Sequence, residues 1–242
     1  MSDLTIIYYT SNWLDTHNSY FLENTKKQLI KAADGLPIIS VSQKPINFGQ
    51  NICLGEIGRS HLNLYWQILV GAKAAKTKYV AMAEDDILYS HEHFHKFRPE
   101  NDRFAYNMSR WSIYTWSKPP MFSFKANRMV VNSLIAKRDM LVDSLEERFA
   151  KARELIANGV KEEEINHHWG DPGRYEKLLG VTPRETEQFW SQVPNVVFSH
   201  PEAIGYGVLG TRKKPGDLRA FEIPDWGKAQ DIVKLYDASL AK

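Results

Sequence analysis

The chain has 242 residues, 43% hydrophobic and 25% charged, which suits a folded protein with a sizeable core and argues against disorder. Its formal net charge of +2 is too mild to imply nucleic acid, and its single cysteine, Cys53, allows neither a disulfide framework nor a zinc ribbon. No apolar run is long enough for a membrane span and no signal-peptide pattern opens the sequence, so a soluble cytoplasmic protein is expected. The 12% aromatic content, seven Trp among it, reads equally as stacking surface or as extra core.

In chain order, Leu4 to Tyr9 reads as a buried strand ending in the polar Thr10-Ser11-Asn12. Thr16 to Ala33 carries helical spacing and stops at Gly35, and Pro37 to Val41 is a second strand. After a polar segment from Ser42 to Ser60, a helix runs from Leu62 towards Lys78. Tyr79 to Ala83 is a third buried strand, followed at once by Glu84-Asp85-Asp86. Strand, helix, strand, helix, strand predicts an α/β fold with a mostly parallel sheet flanked by helices, in a single domain. Residues 1–100 carry this regular pattern, and residues 101–242 are a less regular half of the same domain. In the second half, Phe104 to Ile113 and Ser123 to Val131 read as strands and Asp139 to Ala157 as a helix ended by Gly159. Glu162-Glu163-Glu164 and Gly170-Asp-Pro-Gly173 mark a loop, and Thr182-Pro-Arg-Glu185 has the capping-box pattern of a short helix. Asn195 to Phe198 is a last strand, and Asp225 caps a final helix to Leu240.

Ligands of open α/β sheets bind beyond the carboxyl ends of the strands, where both Thr10-Ser11-Asn12 and the three acids fall. Along an extended strand end, Glu84 and Asp86 point to one side and Asp85 to the other. Two such carboxylates suit Mg²⁺ or Mn²⁺; a solvated turn with a capping Asp is the plainer alternative. Gly58-Arg59-Ser60 precedes a helix, so Arg59 and the backbone amides either approach a ribose or diphosphate or form an ordinary cap. His91-Glu-His93-Phe-His95 lacks the spacing of a helical zinc site, and neither a P-loop nor a dinucleotide-binding turn follows the first strand.

The strands Thr5-Ile-Ile-Tyr-Tyr-Thr-Ser-Asn12 and Leu36-Pro-Ile-Ile-Ser-Val-Ser42, with Tyr79-Val-Ala-Met-Ala-Glu-Asp-Asp-Ile-Leu-Tyr89, resemble a GT-A-type nucleotide-sugar glycosyltransferase. They are similar to small glycosyltransferases encoded by phages, and the resemblance implies that residues 1–100 are the nucleotide-sugar-binding half and residues 101–242 the acceptor-binding half, with a C-terminal basic loop and helix, of one GT-A-like domain. The resemblance implies that Glu84-Asp85-Asp86 is a Glu-x-Asp form of the acidic motif that holds a divalent metal against the donor diphosphate. It further implies that His200 adds a metal contact. Arg212 and Lys213, in the basic run Thr211 to Lys214, would close over the phosphates, and Tyr9, Thr10 and Ser11 would receive the base of a nucleotide, UDP above all. An inverting enzyme also needs a general base, for which Glu164, Asp171 and Glu176 are candidates and Asp171, in a tight turn, is favoured. The phage likeness implies a hydroxymethylated base in viral DNA as one acceptor, with Trp111, Trp116, Lys118, Lys125 and Arg128 as its surface; carbohydrate and protein acceptors stay open. A nucleotidyltransferase with the same acidic metal site, and a non-catalytic nucleic-acid-binding module, are the rival readings.

Overall fold

The computed structural model describes residues 2–199, 215–216 and 218–240. The run Leu4–Thr10, β1, is buried along its whole length because both of its faces meet a core. Ile7 and Tyr9 point into one apolar cluster, and Leu4, Ile6 and Tyr8 into another. Next come α1 (Trp13–His17), α2 (Ser19–Ala33), β2 (Ile38–Ser42), β3 (Gln50–Cys53), α3 (His61–Ala74), β4 (Tyr79–Ala83), β5 (Ile87–Leu88) and α4 (His91–His95). The helix expected from Thr16 is two helices, since Asn18 leaves helical geometry and its side chain caps α2 by accepting from Phe21 N. The strand β3 escaped the sequence reading because Gln-Asn-Ile-Cys is a short, unpatterned edge segment.

The second half contains β6 (Arg103–Asn107), β7 (Arg110–Tyr114), β8 (Met121–Phe124), β9 (Leu134–Lys137), α5 (Arg138–Ala157), α6 (Glu162–His168) and α7 (Glu176–Leu179). It continues with β10 (Glu185–Phe189), β11 (Asn195–Ser199), β12 (Leu218–Ala220), β13 (Glu222–Ile223), β14 (Gly227–Lys228) and α8 (Ala229–Val233). Four expectations are corrected here. The strand from Phe104 breaks into β6 and β7, which join different sheets. The acids Glu162 to Glu164 open α6, where carboxylates favour a helix N-terminus, rather than lying in a loop. The capping-box segment leads into strand β10: the Thr182 backbone amide and hydroxyl both donate to Glu147 of α5, and Glu185 pairs beside β6. Asp225 sits at φ 68° between β13 and β14 and caps nothing; the helix that follows has five residues.

Among the described residues one sheet has the order β10-β6-β9-β4-β1-β2-β3, parallel except where β9 enters between β4 and β6. A second sheet runs β12-β8-β7-β11-β5. The chain leaves the first sheet at Ala83 and joins the second at Ile87, so the three acids form the crossing between them. Helices α3 and α5 cover one face of the first sheet. Gly71 lets α3 approach closely: a Cβ there would lie 2.5 Å from the Ile7 Cγ2.

Candidate active site

Beyond the carboxyl ends of β1 and β4 lies a cleft of about 270 Å³. Its lining includes Tyr9, Thr10, Ser11, Arg59, Glu84, Asp85, Asp86 and Asp171, residues drawn from four separate parts of the sequence. His200, Arg212 and Lys213 lie outside the described residues.

The strand-end wall is fixed by local hydrogen bonds. The Tyr9 hydroxyl donates to Glu84 Oε1 at 2.8 Å, and the Asn132 amide donates to Glu84 Oε2 at 2.7 Å. The Thr10 hydroxyl donates to Asp85 Oδ2 at 2.6 Å. Extended alternation does not set these directions, since β4 ends at Ala83 and Asp85 and Asp86 occupy a turn. That turn is held from behind: Thr25 donates to the Asp85 carbonyl, and Phe198 N to that of Asp86. Burial pushes the Glu84 carboxyl up to about 7; the Asp86 charge adds to this more than that of Asp85, while the bonds from Asn132 and Tyr9 oppose it. Glu84 and Asp86 therefore do act on one another, through a turn rather than a strand.

The floor beside β1 is equally determined. Gln67 of α3 donates to the carbonyls of Thr10 and Val41, joining the ends of β1 and β2. Asn12, at φ 59°, accepts from the amides of Gln43 and Lys44. Ser60 caps α3 by accepting from Asn63 N at 3.0 Å. The neighbouring Arg59 lies 4.7 Å above the centre of the Trp13 ring, which stacks on His17. The cleft lining thus includes a flat aromatic and cationic pair, Trp13 and Arg59, besides its acids.

Another wall is the turn Gly170-Asp171-Pro172-Gly173, of which Gly170 and Asp171 line the cleft. Asp171 Oδ1 accepts from Val131 N at 2.6 Å, and burial raises its pKa against that bond and the charge of Arg174. A buried ion pair holds the turn: Arg148 of α5 meets Glu176 at 2.5 Å, with the two side chains 0% and 3% exposed. Arg148 also donates to the Gly170 carbonyl at 2.7 Å, while Glu176 accepts from Gly173 N and Tyr175 N. Tyr106 completes the anchor by donating to the Pro172 carbonyl. A Cβ on Gly170 would fall 2.1 Å from the Tyr175 ring. Of the three candidate bases, Glu176 is committed to Arg148 and Glu164 is exposed on α6, which leaves Asp171 facing the cleft.

Asn132, Trp13, Trp169 and Arg110 also line the cleft and were not expected there. Asn132 lies in a single 3-10 turn, Val131–Ser133, that no periodic pattern marks. Of the residues read as an acceptor surface, Arg128 lines the cleft but Trp111, Trp116, Lys118 and Lys125 do not. Trp111 packs on Phe124 against the second sheet's core. The histidine run is structural: His91 and His95 stack at 4.0 Å, and His93 is buried.

Three neighbouring carboxylates supply hard oxygen donors, and the Glu84 pKa, raised first by burial and then by the Asp86 charge, marks a buried carboxyl whose ionised form a cation would favour. Among the described residues no three His, Cys, Asp or Glu side chains converge into a ready-made cage. Ions that take part of their shell from phosphate and water need none.

No family model and no curated protein matches the sequence. Similar solved structures include a glycosyltransferase involved in the glycosylation of the major capsid of PBCV-1, at 10% identity over 81% of this chain and 92% of that one, with a TM-score of 0.44. The glycosyltransferase GlyE of Streptococcus pneumoniae TIGR4 is similar at 12% identity over 77% of this chain, with a TM-score of 0.40; this chain spans 46% of its length. A Drosophila β-1,4-galactosyltransferase 7 in complex with manganese, UDP-Gal and xylobiose is similar at 13% identity over 80% of this chain and 68% of that one, with a TM-score of 0.37. Likeness of this degree concerns the path of the chain, so the chemistry is argued from the cleft itself.

Proposed function

We propose that this chain is a metal-dependent glycosyltransferase that moves a sugar from a nucleoside-diphosphate sugar, UDP-linked, to a carbohydrate hydroxyl. The observation that carries the reading is one cleft with three carboxylates on its strand-end wall and the anchored Asp171 on the other. The nucleoside end lies along Tyr9, Thr10, Ser11 and Arg59, with Trp13 as a flat neighbour. Asp85, oriented by Thr10, faces this end and accepts from the ribose hydroxyls. Asp86 and Glu84 would hold Mn²⁺ or Mg²⁺, which when bound supplies Lewis-acid stabilisation of the departing diphosphate.

Asp171 takes the proton of the acceptor hydroxyl as that oxygen bonds to the anomeric carbon. The bond from sugar to diphosphate breaks with its electron pair on the leaving group, and the anomeric configuration inverts. The raised Asp171 pKa makes it a better base than a solvated carboxylate, and the bond from Val131 N fixes its direction. The acceptor is taken as carbohydrate rather than DNA because, of the five residues read as a surface for nucleic acid, four, Trp111, Trp116, Lys118 and Lys125, lie outside the cleft.

The test is release of free nucleoside diphosphate from a panel of UDP- and GDP-sugars with Mn²⁺, with and without chelator, in the presence of saccharides or hydroxymethylated DNA. Chelator-sensitive release is expected, faster with a saccharide. Release accelerated by DNA alone would move the acceptor. Pyrophosphate released from a nucleoside triphosphate would establish the nucleotidyltransferase instead.

A further inference from the structure

The cleft that holds the acids and Asp171 also carries positive charge to which the donor contacts proposed above give no role. Arg110, the first residue of β7, and Arg128, in the loop after β8, both line it and are both half-buried. Among the described residues neither guanidinium has an ion-pair partner, and the Arg110 Nε is buried without a hydrogen-bond acceptor. Their charges act on each other, so that burial and then Arg128 bring the Arg110 pKa down to about 10. Glu84 and Asp86 pull it the other way, and the Arg128 charge is felt in turn by Asp171. Backbone contacts place both arginines near the site's carboxylates: the segment after Arg128 is tied to the Asp171 turn by Val131 N and by the bond from Arg174 to the Met129 carbonyl, and Arg110 begins β7 beside β11, whose Phe198 amide holds the Asp86 carbonyl.

Two like charges that act on each other in a half-buried site oppose folding, and the unsatisfied Arg110 Nε adds to the cost. An anion that accepts from both forks removes both penalties, because planar guanidinium groups match carboxylate and phosphate oxygens in pairs. The location decides what kind of molecule carries that anion. The nucleoside end proposed above is at Trp13 and Arg59, at the starts of α1 and α3 rather than in these segments. Arg128 belongs instead to the segment bonded to the Asp171 turn, and in the reading above Asp171 is where transferred sugar and acceptor meet.

Resting on the glycosyltransferase reading above, we propose that Arg110 and Arg128 form a subsite for a carboxylate or phosphate carried by the transferred sugar or by the acceptor, so that the enzyme selects an acidic saccharide. Neutral sugars leave the two guanidinium groups unpaired and bind less well.

The experiment is a calorimetric titration of the whole chain in two arms. The donor arm compares UDP-glucuronate with UDP-glucose, with Mn²⁺ present. The acceptor arm compares glucuronate and glucose 6-phosphate with glucose, with UDP and Mn²⁺ present. At least one acidic probe should bind about tenfold or more tightly than its neutral counterpart, the arm identifying its source. In Arg128→Gln that preference should fall to within about twofold, while UDP affinity stays within about threefold of wild type. Arg110→Gln should repeat this, with urea unfolding confirming that each variant is folded. Equal binding of acidic and neutral probes, with UDP bound normally, overturns the subsite and leaves the glycosyltransferase standing. A large loss of UDP affinity in both variants also overturns it, making the arginines a clamp on the diphosphate. If wild type binds neither UDP nor any UDP-sugar, the glycosyltransferase reading fails and takes the subsite with it.

Discussion

The two walls of the cleft are built in opposite ways. The strand-end wall is made where β1 and β4 stop: buried side chains alternate until the strands end, and the next polar residues fall beside one another because the strands are parallel neighbours. Its bonds, Tyr9 to Glu84 and Thr10 to Asp85, join the last two residues of β1 to the first two residues past β4. The Asp171 wall has no such scaffold. It is a turn pinned by Arg148 from a helix more than twenty residues earlier, by Tyr106 from another strand and by Glu176 just beyond it. A parallel sheet positions the first wall as a by-product of folding, whereas the second depends on a buried charge pair that serves little else.

That contrast is broken most severely at Asp171. Asp171→Asn keeps the shape of the turn and removes its basicity, so transfer to an acceptor should fall by about 10²- to 10⁴-fold while the affinity for UDP is unchanged. Steady-state rates and UDP titration of the same preparation check both halves of that statement. Arg148→Met is next. It leaves Glu176 buried without its partner, so stability should drop by about 3–5 kcal/mol, read from the urea midpoint. A double variant, Arg148→Met with Glu176→Leu, should regain a good part of the loss. If the single variant unfolds at the wild-type midpoint, the second wall does not depend on the ion pair.

Acid sharpens the comparison from a third place. His93 is fully buried, its Nδ1 accepts from the Asn107 amide at 3.2 Å, and burial brings its pKa down to about 3. The unfolded chain binds that proton from about pH 6.5 downward. Between about pH 6.5 and about 3 the unfolded state therefore holds more protons on this residue, and stability falls as pH falls, by up to about 1.4 kcal/mol per unit. His93→Gln should flatten this slope in urea unfolding at a series of pH values. The smallest effect belongs to the strand-end wall: Thr10→Val removes one hydrogen bond to Asp85, so UDP affinity should weaken by about 1 kcal/mol, roughly fivefold. A loss as large as that from a direct metal ligand would contradict the purely orienting role of Thr10.

The same contrast explains what the sequence made legible. Leu4 to Tyr9, Pro37 to Val41 and Tyr79 to Ala83 are continuous apolar runs ending in polar residues, so the central strands and the edge where the site lies could be read directly. Asp171 was reachable because Gly170-Asp-Pro-Gly173 is a turn by composition, although nothing near it announces Arg148 as its anchor. Asn132 and Arg110 carried no local signal: one lies in an unpatterned turn, and the other opens a strand whose neighbours are contributed by β11 and β8. The capping-box pattern at Thr182 misled because a distant glutamate, Glu147, took up the hydroxyl, and pairing with β6 then overrode the local helix signal.

The most direct test of the account is whether the acids join nucleotide and metal into one binding event. UDP should be titrated into wild type and Asp86→Asn by calorimetry, with Mn²⁺ and with chelator. The account predicts that Mn²⁺ strengthens UDP binding by about a hundredfold or more in wild type and by little in Asp86→Asn. UDP affinity that is the same with and without Mn²⁺ in wild type would contradict it.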